Sequence, residues 1–195
     1  MVIEKGGTYG TPGPNPAHLP QCGNDRELAA HIAEAGTSPC TVLAGDVLVT
    51  LGGGARPGVA PLAYPLDVLE VRLDEGPVVL AVAHTIARRR FWRGECAVAM
   101  NAAWCNDWYL GPRSHPNDGL VDVTIGALSA QQRYLARRRV RSGSHLPHPN
   151  LKVTRTTHWD HNFRSPVGVW IDGYRHGSAR HVEIHVRPDA GLVVV

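Results

Sequence analysis

Gly111-Pro112-Arg113-Ser114-His115-Pro116-Asn117-Asp118-Gly119-Leu120-Val121-Asp122-Val123 is the stretch on which the reading of this chain turns. It opens as a Gly/Pro-rich loop. Asn117-Asp118-Gly119 is strong turn chemistry, because Asn and Asp bond to their own backbone and Gly takes left-handed geometry at no steric cost. A strand is expected to follow over 119–126.

On both sides, short β-rich runs alternate with turns: 65–73, 77–86 and 93–101 before it, then 151–156, 166–172 and 180–187. His181-Val182-Glu183-Ile184-His185-Val186 has the period-two alternation of a half-buried strand. Leu192–Val195 reads as a last strand, and one helix interrupts the series near 128–142. Ahead of residue 58 the texture differs. Residues 1–23 are a Gly/Pro-rich lead, expected to form an irregular arm. Asn24 and Glu27 have capping-box spacing, Leu28, Ala29, Ile32, Ala33 and Ala35 make an apolar stripe, and Gly36 supplies the stop. Cys40–Ala44 reads as a buried strand, followed by Gly45-Asp46, a short apolar stretch and Gly52-Gly53-Gly54. The expected fold class is α+β, mainly antiparallel β, with a small α/β lead over 1–58 and a larger β body over 59–195.

The chain has 195 residues, enough for one domain that buries roughly 70% of the surface its unfolded form exposes. No apolar run approaches the roughly 18 residues of a membrane span. Met1-Val2-Ile3-Glu4-Lys5-Gly6 lacks the charged-then-apolar order of a secretion signal. A cytoplasmic protein, peripheral to the membrane at most, is the expectation. The four cysteines, at 22, 40, 96 and 105, make no C-x-x-C pair, which argues against a cysteine-built zinc site and for reduced thiols. The net charge of +3 hides a concentration: ten Arg face four acids between His84 and His145, a net +6, against −3 over the rest. That asymmetry points to an anionic partner.

Four motifs then occur in a telling order. Asn101 ends a strand and is followed by the loop quoted above. Gly143-Ser144-His145-Leu146-Pro147-His148-Pro149 comes after the helix. Val169-Trp170-Ile171-Asp172-Gly173 makes an apolar run into a turn. Val182–Val186 with Pro188-Asp189-Ala190 closes the series. Over 65–195 this resembles the C-terminal domain of the diacylglycerol kinase and YegS-type lipid kinases, within the NAD kinase-like superfamily. The resemblance implies a β-sandwich-like domain that holds a lipid, faced across a cleft by an ATP-binding half with a GGDGT loop.

It also implies roles for particular residues. The family's P-x-D-G-L loop holds a structural Mg2+, which here implies Asp118 with backbone oxygens of His115 and Leu120; oxygen donors in a tight loop suit a hard cation. The family's D-G-E turn supplies a Glu as base. Here the turn is Asp172-Gly173-Tyr174, and a phenol with a pKa near 10 does not take the place of a carboxylate near 4.3. Asp172 and His176 are the substitutes within reach, though the plainer reading of Asp172 is as the first residue of a hairpin turn. Too few residues precede position 65 for the usual nucleotide domain. Gly45-Asp46, after Thr41-Val42-Leu43-Ala44, is at best a remnant of strand-GGDGT, so ATP is not expected.

The basic stretches Arg88-Arg89-Arg90-Phe91-Trp92-Arg93 and Arg137-Arg138-Arg139-Val140-Arg141 are either solvated faces or an anion site. A lipid surface attracts such a segment by about 1 kcal/mol per basic residue. Arg88, Arg89, Arg90, Arg93 and Asn101 are the candidate ligand-binding residues. No nucleic-acid-binding module is recognisable, and no such partner is expected. His145-x-x-His148, His158-x-x-His161 and His181-x-Glu183-x-His185 have metal-ligand spacing, with 181, 183 and 185 on one face of a strand; surface histidines are the plainer reading. Three functions follow. The first is a degenerate lipid-kinase-like domain that binds a lipid or other anion without catalysis. The second is a kinase active only with an ATP-binding partner or a second copy of itself. The third is a metal-dependent hydrolase.

Overall fold

The structure is a computed structural model and describes residues 9–54 and 58–195. Its first segment carries β1 (Thr11–Pro12), β2 (Gln21–Cys22), α1 (Asp25–Ala35), β3 (Cys40–Val42) and α2 (Asp46–Thr50). Then come β4 (Leu62–Leu73), β5 (Val78–Ala81), β6 (His84–Arg88), β7 (Glu95–Met100) and β8 (Val121–Ala127). Helix α3 (Ala130–Arg139) precedes β9 (Leu151–Thr156), β10 (His158–Ile171) and β11 (Tyr174–Val194). The strands form one sheet, ordered β1-β4-β11-β10-β6-β7-β8-β9, with β5 on β4 and β3 on β11. Among the described residues, only the β2–β3 and β3–β11 pairings are parallel. The expectation of a mainly antiparallel β chain with few helices holds.

Several boundaries differ from expectation for identifiable reasons. Pro188-Asp189-Ala190, which reads as a break, is a bulge in β11. The register against β4 shifts between Arg187 and Gly191, and Asp189 turns left-handed at φ 52°. The runs expected at 180–187 and 192–195 are therefore one strand. The run expected at 77–86 splits at Val82-Ala83, because the N–H groups of Val82, Ala83 and His84 turn to the Asp172 carboxylate at 2.9–3.0 Å. The apolar stretch after Gly45 is the short helix α2. Residues 1–8 of the expected arm, and 55–57 beside the expected joint at 58, lie outside the described residues. From Tyr9 onward the arm is tied down: its hydroxyl donates to Pro65 O, and β1 pairs with β4.

Two of the three hydrophobic clusters among the described residues explain the arrangement. In one, Leu28 and Ile32 of α1 pack on Leu66, Val68 and Val193. Each such side chain contributes roughly 1.5–3 kcal/mol on full burial. Gly191 makes this possible, since a Cβ there would lie 2.4 Å from Ile32 Cδ1. The other core draws Leu69, Val71, Ala97, Ala99, Val121, Val123, Val169 and Ile184 from five strands onto one face of the sheet. The opposite face of β6–β9 is roofed by α3. That helix starts with a full capping box, Ser129 and Gln132, yet none of its residues is buried. Among the described residues, no helix is long and apolar enough to cross a membrane.

Candidate functional site

A cavity of about 580 Å³ lies between α3 and the sheet. Alternation along the strands decides its floor. Ala97 and Ala99 face the core, so Cys96 and Val98 face the cavity, joined by Arg88, Thr124 and Leu151. The roof is Tyr134, Ala136, Arg137 and Val140, and Trp92, Trp108 and Leu110 close the side. Apolar surface dominates, and the cations stand at its edge. The Arg88 guanidinium lies 4.1 Å from the Trp170 ring centroid and 5.2 Å from that of Trp92. Such stacking holds the planar cation in place while leaving N–H groups for an anion.

Of the predicted anion-binding residues, Arg88 and Arg90 line this cavity, whereas Arg89 and Arg93 do not. Arg133 and Arg137 join from α3, so the two basic parts of the sequence meet in space. Asn101 belongs elsewhere. It is fully buried, and its amide donates to Asp67 O at 2.9 Å and Val82 O at 2.8 Å, tying β7 to β4.

Gly45 and Asp46 sit at the N-terminus of α2, and the donors there are already taken. Asp25 Oδ2 accepts the Asp46 N–H at 2.6 Å, and Oδ1 accepts the Val47 N–H at 3.2 Å. Gly45 is required: φ is +127°, and a Cβ would lie 2.4 Å from Asp25 Oδ1. Burial pushes the Asp25 carboxyl up to about 6, against the pull of these N–H groups.

Beyond this loop runs a buried line of chemistry-bearing groups. Asp46 Oδ2 lies 3.4 Å from His84 Nδ1, and His84 Nε2 lies 3.6 Å from Cys105 Sγ. Asn106 N–H donates to the other Asp46 oxygen at 2.7 Å. The order is that of a carboxylate–imidazole–thiol relay. Its electrostatics oppose catalysis, however. Burial pulls His84 down and, with Asp46 nearby, pushes the Cys105 thiol up to about 12. A thiol in that range is not a nucleophile near neutrality. The imidazole turns opposite nitrogens to its two partners.

The turn that resembles D-G-E is structural in this chain. Asp172, at φ 45°, and Gly173 close the β10–β11 hairpin, and the Asp172 carboxylate takes three backbone N–H groups. Its burial pushes it up to about 6. Tyr174 is exposed, with the Arg26 guanidinium 4.6 Å over its ring. His176 is pulled down by partial burial and by Arg26.

In the Asn117-Asp118-Gly119 loop, the residue at the centre is one that sequence reasoning passed over. Asp67, on β4, is fully buried. It accepts the Gly119 N–H at 2.7 Å, the Asp189 N–H at 3.0 Å and the Asn117 amide at 3.4 Å. It thereby joins the loop to the β11 bulge. A lone Asp between Leu66 and Val68 was the signal. Asp118 accepts the Leu120 N–H at 3.0 Å and pairs with Arg155, which also reaches Asp122 at 3.0 Å. His115 Nδ1 accepts the Asn117 N–H at 3.2 Å.

No protein-family model matches the chain, and no curated protein does. Solved structures do. One, of a diacylglycerol kinase-like protein from Bacillus anthracis str. Sterne, superposes with a TM-score of 0.59 at 8% identity, over 80% of this chain and 69% of that one. A diacylglycerol kinase from the same organism gives 0.53 at 10% identity, over 80% and 66%. A third, again diacylglycerol kinase-like, gives 0.53 at 9%, over 79% and 69%. At such identities the likeness is one of fold, and the fold is that of the diacylglycerol kinase-like proteins.

Proposed function

We propose that this protein binds an amphipathic anion, an acyl lipid with a charged headgroup, in the cavity beneath α3, and that it transfers no phosphoryl group. The observation that carries the reading is the cavity, with apolar walls and Arg88 stacked between Trp92 and Trp170 at its edge. An acyl stem would occupy the apolar interior. The headgroup would meet Arg88, Arg90, Arg133 and Arg137, a pairing of buried alkyl surface with charge at the rim.

Three features support the absence of transfer. Phosphoryl transfer rests on positioning and on electrostatic stabilisation of the moving phosphate. At the one loop resembling a nucleotide cradle, Asp25 holds the backbone donors, and an incoming phosphate would have to displace a carboxylate. Tyr174 stands where the resemblance calls for a Glu, and Asp172 spends its oxygens on the β5–β6 backbone. The Asp118 loop fits a bound Mg2+ poorly, since N–H donors from Leu120 and Arg155 engage both carboxylate oxygens. Arg155 supplies the positive charge in that loop.

The test is calorimetric titration with ATP–Mg2+ together with a radiolabelled lipid phosphorylation assay. No saturable ATP binding and no labelled lipid are expected. Micromolar ATP affinity with turnover that disappears in Asp46→Ala would overturn the reading and favour a working nucleotide loop.

A further inference from the structure

The histidines group differently from their spacing in sequence. His161 pairs with Glu95 and His181 with Asp160, while His158 crosses to β11 to join Glu183 and His185. The β10–β11 register places His158 directly opposite His185. Period two turns Val182 and Ile184 into the core and leaves Glu183 and His185 on the outer face. The two imidazoles stack with centroids 4.1 Å apart at 18°. Both present the same atom to the same place: Glu183 Oε1 lies 3.0 Å from His185 Nε2 and 3.6 Å from His158 Nε2. Arg72 lies 3.7 Å from the other Glu183 oxygen and keeps that carboxylate oriented.

We infer that His158, Glu183 and His185 form a site for a divalent transition-metal ion of the zinc class. The inference is independent of the lipid-binding reading. Two imidazoles and a carboxylate are a donor set for zinc, and borderline nitrogen donors disfavour Mg2+ and Ca2+. Access and ring orientation distinguish this group from Asp46, His84 and Cys105, the other three-donor cluster among the described residues, which is buried throughout. There the ring divides its two nitrogens between partners; here each residue directs one donor atom at a common point. The donors sit on paired strands, whose hydrogen bonds fix the spacing before any ion arrives. Both histidines are about half exposed, so an ion can reach them from solvent. Three protein donors with solvent beyond leave a coordination position open for water or an anionic group. Bound metal would also staple β10 to β11.

The experiment is calorimetric titration of the tag-free protein with zinc chloride, with magnesium chloride as control. One zinc per chain at micromolar affinity is expected, with no heat from magnesium. His158→Ala and His185→Ala should each weaken binding at least as much as loss of an outer-shell partner does, roughly 10–100-fold. His181→Ala should leave it unchanged. Absence of zinc binding at millimolar concentration would overturn the site. So would binding that persists in both His158→Ala and His185→Ala, or that is lost only in Cys105→Ser.

Discussion

Asp25 Oδ2 accepts the backbone N–H of Asp46 at 2.6 Å, so a side chain from the first turn of α1 caps the start of α2. An internal carboxylate thus occupies the donors that a phosphate would use at a Gly-rich turn. This one contact links the local fold, with α1 anchored to α2, to the function we propose.

The same contact makes a pH prediction. Burial holds the folded Asp25 near 6, above its unfolded value of about 3.9. The folded chain therefore binds this proton more tightly than the unfolded chain. The resulting stability is fully present below about pH 4 and is lost as pH rises through about 6. Urea unfolding of wild type and Asp25→Asn, compared at pH 4 and pH 7, should show wild type losing ground to the variant at the higher pH. A gap that stays constant or widens in favour of wild type would contradict it.

Asp172 should behave as a structural residue. Asp172→Ala orphans the N–H groups of Val82, Ala83 and His84 in the core, and each orphan costs about 1–3 kcal/mol. Loss of about 3 kcal/mol or more is expected in chemical unfolding. Tyr174→Phe, at an exposed ring, should change stability by less than about 0.5 kcal/mol.

The loop makes a graded set. Asp67→Ala removes a buried acceptor of three donors and should cost about 3 kcal/mol. Asp118→Ala breaks a partly exposed ion pair and one N–H contact, for about 1 kcal/mol. Asp107→Ala, at an exposed position, should stay within about 0.5 kcal/mol. Thermal unfolding of the three variants should reproduce this order. If Asp118→Ala were the most damaging, Asp118 and not Asp67 would be the organiser of the loop.

Much of the fold could be read in the residues because local chemistry decides it. Asn24 with Glu27, Gly36, the Asp172-Gly173 hairpin and the alternation at 181–186 act over a few residues, and each element appears where those signals lie. What escaped depends on distant pairing. The Pro188-Asp189-Ala190 bulge is held by Asp67, far away on β4, and its Pro reads as a stop without that partner. The site shows the same division. The Arg-rich stretch was visible as charge, but Arg133 joins Arg88 only through the placement of α3 on the sheet. Asp25 was hidden because an acid in a helix's first turn has a sufficient local explanation. His158 was matched with His161 by spacing, while the strand register gives it to His185.

The lipid-binding claim is tested most directly by tryptophan fluorescence, since Trp92 and Trp108 line the cavity. The titrant is a short-chain phosphatidic acid kept below its micelle threshold. Saturable binding of one lipid per chain is predicted. It should weaken roughly tenfold in Arg88→Ala, the size of one charge-assisted contact of about 1.5 kcal/mol, and disappear in Ala136→Trp, which fills the cavity from its roof. A titration with no saturable change, or one identical in wild type and Ala136→Trp, would contradict the account.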